Sequence, residues 1–164
     1  MLRVVVAIVL ASALLAASLP GIELAARERS EASLTAETDR LRVAIADLRH
    51  RESAVGAGAG ARRIVTVELP ARSRTAAGEA TLALGGVPGQ ARPDGRSAID
   101  LAWRVGEGAV TTRRLPGVTV VHYRDGRVRG GSLVLEAPGP HRIALTRVER
   151  DGETLIGVRR LPEV

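Results

Sequence analysis

Hydrophobic positions are concentrated first at the N-terminus, where an apolar run extends without interruption from Val4 to Leu19. As a helix this run would be about 24 Å long, since an α-helix rises about 1.5 Å per residue. Extending the helix through Pro20 to residue 26 brings it to the roughly 20 residues that a membrane-spanning helix needs. The pattern therefore predicts a membrane anchor helix over residues 1–26, with a proline that membrane helices tolerate.

A cleavable signal peptide is the alternative for the same segment. Met1–Arg3 supplies a short basic stretch, and Ala16-Ala17-Ser18 supplies small residues of the kind found before a cleavage site. Retention is favoured because the sequence after Pro20 keeps a helical pattern instead of a loose spacer. Arg3 lies on the short N-terminal side, so the charges predict a single-pass protein of the cell membrane, with a cytoplasmic N-terminus and an extracytoplasmic C-terminal domain.

An amphipathic helical stalk is predicted over residues 27–55, followed by a Gly/Ala linker at residues 56–61. Leu34, Leu41 and Leu48 recur every seven residues, and charged residues occupy the other faces. Such a stripe must pack on something, either on the chain's own β-rich part or on subunits of an assembly. Contact with subunits of a pilus or secretion machinery is the favoured interpretation, and packing on the chain's own sheet remains open.

From Arg62 onward the hydrophobic period changes from that of a helix to the alternation typical of strands. Short strands at this spacing, without helices between them, predict an antiparallel β-sandwich or small barrel over residues 62–164. We expect these residues to fold alone. Together with the N-terminal helix they make the whole chain an α+β protein. The predicted strands are Ile64–Leu69, Ala80–Gly85, Ala98–Val105, Val110–Leu115, Val118–Tyr123, Ser132–Glu136, Arg142–Arg150 and Glu153–Leu161.

The clearest turn signal is Asp151-Gly152 between the last two predicted strands. An Asp-Gly pair favours a type I′ hairpin, because both residues can adopt positive φ. A two-residue hairpin would place Val148 opposite Leu155 and Leu145 opposite Val158. Asp125-Gly126 predicts a second hairpin of the same kind.

The composition limits the possible partners and chemistry. The chain has no cysteine, which excludes disulfides, thiolate metal sites and a cysteine nucleophile. Its formal charge is +6 and all 24 basic residues are arginine, but they are scattered along the sequence. Trp103 and Tyr123 are the only aromatic residues. A stacking platform for single-stranded nucleic acid therefore cannot be assembled, and Trp103 is expected in the core or an interface.

The residues that often carry catalysis do not form a recognisable motif. His50, His122 and His141 lack the spacing that recommends a zinc site. Ser97, Asp100 and His122 supply the residue types of a catalytic triad, but no G-x-S-x-G nucleophile elbow is present. We therefore expect a non-enzymatic protein with no catalytic, cofactor-binding or metal-binding residues and no small-molecule substrate.

The chain resembles type IV pilins, pseudopilins and archaellins, in which a hydrophobic helix extends into an amphipathic one before a β-domain. More narrowly, it is similar to an uncharacterised family of haloarchaeal proteins encoded near type IV pilus-like secretion ATPases. Four blocks carry the resemblance, namely MLRVVVAIVLASALLAASLPGIELAARERS at the start, GARRIVTVELPARSRTAAG at residues 60–78, RRLPGV at residues 113–118, and PGPHRIALTRVERDGETLIGVRR at residues 138–160.

The resemblance implies an accessory role instead of that of a major pilus subunit. Prepilins carry a basic leader before the hydrophobic segment and a glutamate a few residues into the mature helix, whereas here the nearest glutamate is Glu23. The sequence hypothesis is a membrane-anchored accessory component of a type IV pilus-like or secretion assembly, with a pilin-like or immunoglobulin-like sandwich. The alternative is a tethered or secreted β-sandwich module that binds a ligand or surface polymer.

Overall fold

The computed structural model describes residues 2–51, 62–71, 79–90, 98–150 and 152–162, without the side chains at positions 15–17, 19, 20 and 51. The predicted linker at 56–61, Ser97 and Asp151 lie outside the described residues. Within these ranges the chain is an α+β protein with one helix and nine strands. They are α1 (Leu2–Arg51), β1 (Arg62–Leu69), β2 (Ala80–Leu84), β3 (Leu101–Val105), β4 (Thr111–Arg113), β5 (Thr119–Arg124), β6 (Arg127–Val128), β7 (Leu133–Leu135), β8 (Gly139–Arg150) and β9 (Glu153–Arg160).

Helix α1 is continuous over 50 residues. It passes through position 20 and has no break between the predicted anchor and the predicted stalk. Burial changes near that boundary, because Ala26 is the first buried residue among the described side chains of the helix. We call residues 2–25 the apolar arm and residues 26–48 the docked segment.

One face of the docked segment packs on the protein's own sheets. Its buried side chains recur at intervals of three or four residues, the spacing of a single helix face, and the helix contacts β1, β3 and β8. They are Ala26, Ser30, Leu34, Glu37, Thr38, Leu41, Ala44, Ile45 and Leu48. Leu34, Leu41 and Leu48 each have 0% of their surface exposed. The prediction that these three leucines contact a partner is therefore wrong, because they already belong to the core of the chain.

The hydrophobic core is shared between the helix and the strands. Leu41 and Leu48 belong to the same cluster as Val67 of β1, Leu101 of β3 and Ile143 of β8. The core is therefore incomplete without the helix, contrary to the expectation that residues 62–164 supply it alone.

The nine strands form two sheets. The five-stranded sheet has the order β1-β8-β9-β5-β6, and the four-stranded sheet has the order β4-β3-β2-β7. The prediction of wholly antiparallel pairing is wrong at one place, because β5 and β9 run parallel, with Thr119 opposite Leu155 and His122 opposite Val158. Parallel neighbours need a long connection, and here the chain between β5 and β9 forms β6, β7 and β8.

The predicted register of the last hairpin and the predicted hairpin at Asp125-Gly126 are confirmed. In the β8–β9 pair Val148 lies opposite Leu155 and Leu145 opposite Val158. Between β5 and β6, the φ angles of Asp125 and Gly126 are 53° and 76°, both positive as a type I′ turn requires. Strand β1 ends immediately before Pro70, which cannot donate to a sheet.

The two sheets approach closely beside a buried carboxylate. A Cβ built on Gly85, at the end of β2, would lie 2.9 Å from the carbonyl oxygen of Val120 in β5, so only glycine fits there. Asp100 is 2% exposed. Its carboxylate accepts hydrogen bonds from the backbone N–H groups of Leu115 at 2.7 Å and Val120 at 3.0 Å. Asp100 therefore ties the start of β3 to the segment that leads into β5.

Candidate functional site

The core leaves the described side chains of the apolar arm uncovered. Every described side chain of residues 2–25 is exposed. The large apolar side chains among them are between 54% and 78% exposed. The arm is about 36 Å long at 1.5 Å per residue. It therefore presents hydrophobic surface all around its axis, whereas the docked segment buries one face.

The hydroxyl groups of the arm are satisfied within the helix. Ser12 donates through Oγ to the carbonyl oxygen of Ile8 at 2.9 Å, and Ser18 donates to that of Leu14 at 3.0 Å. A hydroxyl without a partner in apolar surroundings costs several kcal/mol, roughly 2–7 on common scales. These bonds to the preceding turn therefore make the arm compatible with an apolar environment despite its serines.

Among the described residues, no helix is both long and apolar enough to count as a membrane span.

Polar contacts fix the position of the docked segment on the sheets. Arg113 of β4 donates through Nη1 to Asp39 Oδ1 at 2.6 Å, and its guanidinium lies 5.5 Å from the ring centroid of Trp103. Trp103 is 5% exposed, as expected for a core residue. Near the helix C-terminus, Arg49 donates to the carbonyl oxygen of Pro116 at 3.2 Å. Arginine side chains, as well as buried leucines, therefore hold the helix against β3, β4 and the loop that follows β4.

A basic cleft opens at the end of the parallel strand pair. Because β5 and β9 run in the same direction, their carboxyl ends reach the same edge and bring His122 and Arg124 beside Arg159 and Arg160. These four side chains line a cleft of about 710 Å³, together with Asp125, Leu133, Leu161 and Pro162. We call this site the basic cleft.

The charges around the basic cleft are predominantly positive. Its one carboxylate among the lining residues, Asp125, lies 3.6 Å from Arg124 Nε and 3.2 Å from Arg129 Nη2. Burial, followed by the positive charges of Arg124 and Arg129, lowers the pKa of His122 below 6.5. The cleft therefore presents arginine donors and a histidine that is largely neutral at pH 7, an arrangement suited to an oxyanion.

The other two histidines occupy unrelated positions. His50 is exposed near the end of α1. His141 of β8 is 2% exposed, and its Nε2 lies 2.6 Å from the carbonyl oxygen of Ala137. Its Nδ1 has no hydrogen-bond partner within the described part of the chain. The described residues contain no group of three or more histidine, aspartate or glutamate side chains placed to hold a metal ion.

Asp100 has a structural role that accounts for its burial. Both of its carboxylate oxygens accept backbone N–H groups, and it does not hydrogen-bond to a histidine. Burial raises the pKa of Asp100 above 3.8, while the two backbone hydrogen bonds and the charge of Arg114 oppose that rise. The carboxylate is therefore committed to holding the chain between β4 and β5.

Sequence reasoning missed the basic cleft altogether. Arg124 and Arg159 are far apart in the sequence, and the parallel pairing that joins them has no local signal. The pairs Arg113-Arg114 and Arg159-Arg160 look alike in the sequence. Only the fold shows that the second pair belongs to a concave basic surface.

Comparison with known proteins gives one family. The model of a family described as a domain of unknown function (DUF7311) matches residues 1–161. No curated protein and no solved structure matches the chain.

Proposed function

We propose that this chain, which belongs to the DUF7311 family, is a membrane-anchored accessory component of a type IV pilus-like or secretion assembly. In this proposal the apolar arm lies in the membrane and the β-rich part is a non-enzymatic, extracytoplasmic sandwich of pilin-like or immunoglobulin-like type.

The exposure of the apolar arm carries the proposal. A helix that is hydrophobic on all sides needs an apolar environment around it, either a protein core or a membrane. The sheets do not supply that environment, since every described side chain of residues 2–25 is exposed. Each large apolar side chain gains about 1.5–3 kcal/mol on full burial, so several of them provide a strong drive toward a lipid phase.

Arginine side chains flank both ends of the apolar arm. Arg3 is the only charged side chain before Glu23. Beyond the arm the helix exposes Arg27, Glu28 and Arg29. In this proposal the side of Arg3 is cytoplasmic, the docked segment and both sheets are extracytoplasmic, and the thiol-labelling experiment below tests this orientation.

Contact with an assembly is assigned to the apolar arm and not to the leucine stripe, because the leucines are committed to the core. The alternative, a tethered or secreted binding module, draws its support from the basic cleft. Gene neighbours that encode a secretion ATPase and a polytopic platform protein would favour the assembly role. Transporter or hydrolase genes in the same position would favour the binding module.

Alkaline carbonate extraction of cell membranes tests the anchor directly. We expect the full chain to stay in the membrane pellet and the double variant Leu10→Glu/Leu14→Glu to be released, because each charge at the centre of a membrane helix costs about 2.5–3.5 kcal/mol. Val43→Glu is the matched control, since Val43 lies on the same helix and is 52% exposed on the docked segment. Release of the unaltered chain by carbonate would overturn the anchor.

The absence of cysteine permits a clean test of orientation. A Val43→Cys variant provides one thiol on an exposed position outside the arm. An impermeant maleimide should label it in intact cells. Labelling only after the cells are broken would place the β-rich part inside and contradict the proposed topology.

A further inference from the structure

Strand β1 runs back along the docked segment toward the apolar arm. Arg63, at the start of β1, donates through Nη1 to Asp47 Oδ2 at 3.2 Å. The segment that leads into β5 lies near the same end of the helix, since Arg49 donates to the carbonyl oxygen of Pro116 at 3.2 Å. Strands β1 and β5 therefore both start near the C-terminal end of α1 and lead away from it.

The pairing of the strands relates the direction of β1 to the position of the basic cleft. Strand β8 is antiparallel to β1, and β9 is antiparallel to β8, so β9 points the same way as β1. Strand β5 is parallel to β9. The carboxyl ends of β5 and β9 therefore lie at the end of the five-stranded sheet toward which the apolar arm extends. The β5–β6 turn, with Asp125 and Gly126, projects from that same end.

That end of the sheet is densely basic. Arg124, Arg127 and Arg129 belong to the β5–β6 hairpin and its continuation, and all three are exposed. Arg159 is exposed beside them at the end of β9. Asp125 is the carboxylate that lies among them, and it pairs with both Arg124 and Arg129. One negative charge among these arginines leaves the surface strongly positive.

We propose that the basic cleft binds the phosphate of an anionic lipid headgroup in the same membrane that holds the apolar arm. The inference rests on the proposed function, because the arm brings this end of the sheet to the lipid surface. Arginine suits this ligand, since its planar guanidinium donates two parallel hydrogen bonds to phosphate oxygens. The arm and the cleft are thus two separate attachments, one to the lipid chains and one to the headgroups.

His122 provides an independent readout of occupancy. Burial, Arg124 and Arg129 lower its pKa in the empty cleft. A phosphate held by Arg124 and Arg159 would offset the positive field and raise the pKa of His122. NMR titration of the histidine ring in the full chain therefore distinguishes an occupied cleft from an empty one.

The experiment places the full chain in lipid nanodiscs of neutral phosphatidylcholine alone or mixed with phosphatidylglycerol. Hydrogen exchange of residues 124–129 and the pKa of His122 are then measured in both. Anionic discs should slow exchange in this segment and raise the pKa of His122. The proportion of phosphatidylglycerol that produces half of each effect should rise about fivefold for each arginine neutralised in Arg124→Gln and Arg159→Gln.

Arg62→Gln is the matched control, because Arg62 is an exposed arginine at the opposite end of the same sheet. It should leave the difference between neutral and anionic discs unchanged. Equal exchange in both kinds of disc, or an equal effect of Arg62→Gln, would overturn the proposal. Inorganic phosphate that reproduces both effects in neutral discs, at millimolar concentration, would also overturn it in favour of a soluble phosphate ligand.

Failure of the anchor and failure of the cleft give different results. A chain that resists carbonate but shows no response to phosphatidylglycerol retains the proposed anchor and loses the headgroup site. A chain released by carbonate that still binds anionic vesicles, and loses that binding in the Arg124→Gln/Arg159→Gln double variant, retains the headgroup site and loses the anchor.

Discussion

Replacing Leu41 by alanine should destabilise the whole protein, because this side chain lies between the helix and the sheets with 0% of its surface exposed. The change removes about three methylene-sized groups, which forfeits roughly 2–2.5 kcal/mol of transfer free energy at about 0.8 kcal/mol each. A residual cavity of about 40–80 Å³ adds about 1–2 kcal/mol. The expected loss is therefore about 3–4.5 kcal/mol of the roughly 5–15 kcal/mol typical of a folded domain.

Trp103 provides the assay, since it is the only tryptophan and is 5% exposed in the shared core. Thermal unfolding of the full chain in mild detergent, followed by tryptophan emission, should show the Leu41→Ala midpoint lowered by about 6–18 °C.

Val43→Ala is the control for this prediction. Val43 lies two residues away on the same helix but is 52% exposed, so its midpoint should change little. If Leu41→Ala melts within about 2 °C of the unaltered chain, as Val43→Ala should, then Leu41 does not belong to the cooperative core and the packing argument fails.

Three further predictions concern the docked segment, the loop before β5 and the buried carboxylate. A fragment that begins at Arg62 lacks the docked segment, so acrylamide should quench its Trp103 emission readily; a protected Trp103 would mean that the sheets close the core by themselves. Gly117→Ala should cost about 1–3 kcal/mol in chemical denaturation, because Gly117 has a φ of +67° and an added Cβ would lie 2.6 Å from Arg49 Nη1. An unchanged denaturation midpoint would show that the loop relaxes freely. Burial raises the pKa of Asp100 above 3.8, so the stability that this group contributes is fully present below about pH 3.8 and is lost as the pH rises through the folded-state pKa. The stability difference between the unaltered chain and Asp100→Asn should accordingly shrink as the pH rises above about 3.8, and a difference that grows with pH would contradict the sign.

Local structure could be predicted from the sequence because local signals determine it. The β8–β9 register follows from the Asp-Gly turn, which fixes Val148 opposite Leu155. The burial of Leu34, Leu41 and Leu48 follows from their spacing, since an apolar stripe must be covered. The identity of the covering surface does not follow, because a stripe of leucines fits the chain's own sheets as well as those of a partner.

Long-range structure could not be predicted in this way. Strands β5 and β9 pair in parallel although β6, β7 and β8 lie between them in the sequence, and no turn signal determines that pairing. The basic cleft depends on it, since Arg124 and Arg159 meet only through this contact. In a chain whose basic residues are all arginine, no single arginine stands out until the fold places it.

The continuity of α1 makes the packing of the docked segment a determinant of orientation. The apolar arm leaves the sheets at Ala26 without a break in the helix. A rotation of about 10° at that point would move the far end of the arm by about 6 Å, over its length of about 36 Å. Leu34 and Leu48 therefore help to set the angle between the arm and the sheets as well as the free energy of unfolding. Two core variants with equal melting temperatures can consequently hold the β-rich part at different tilts.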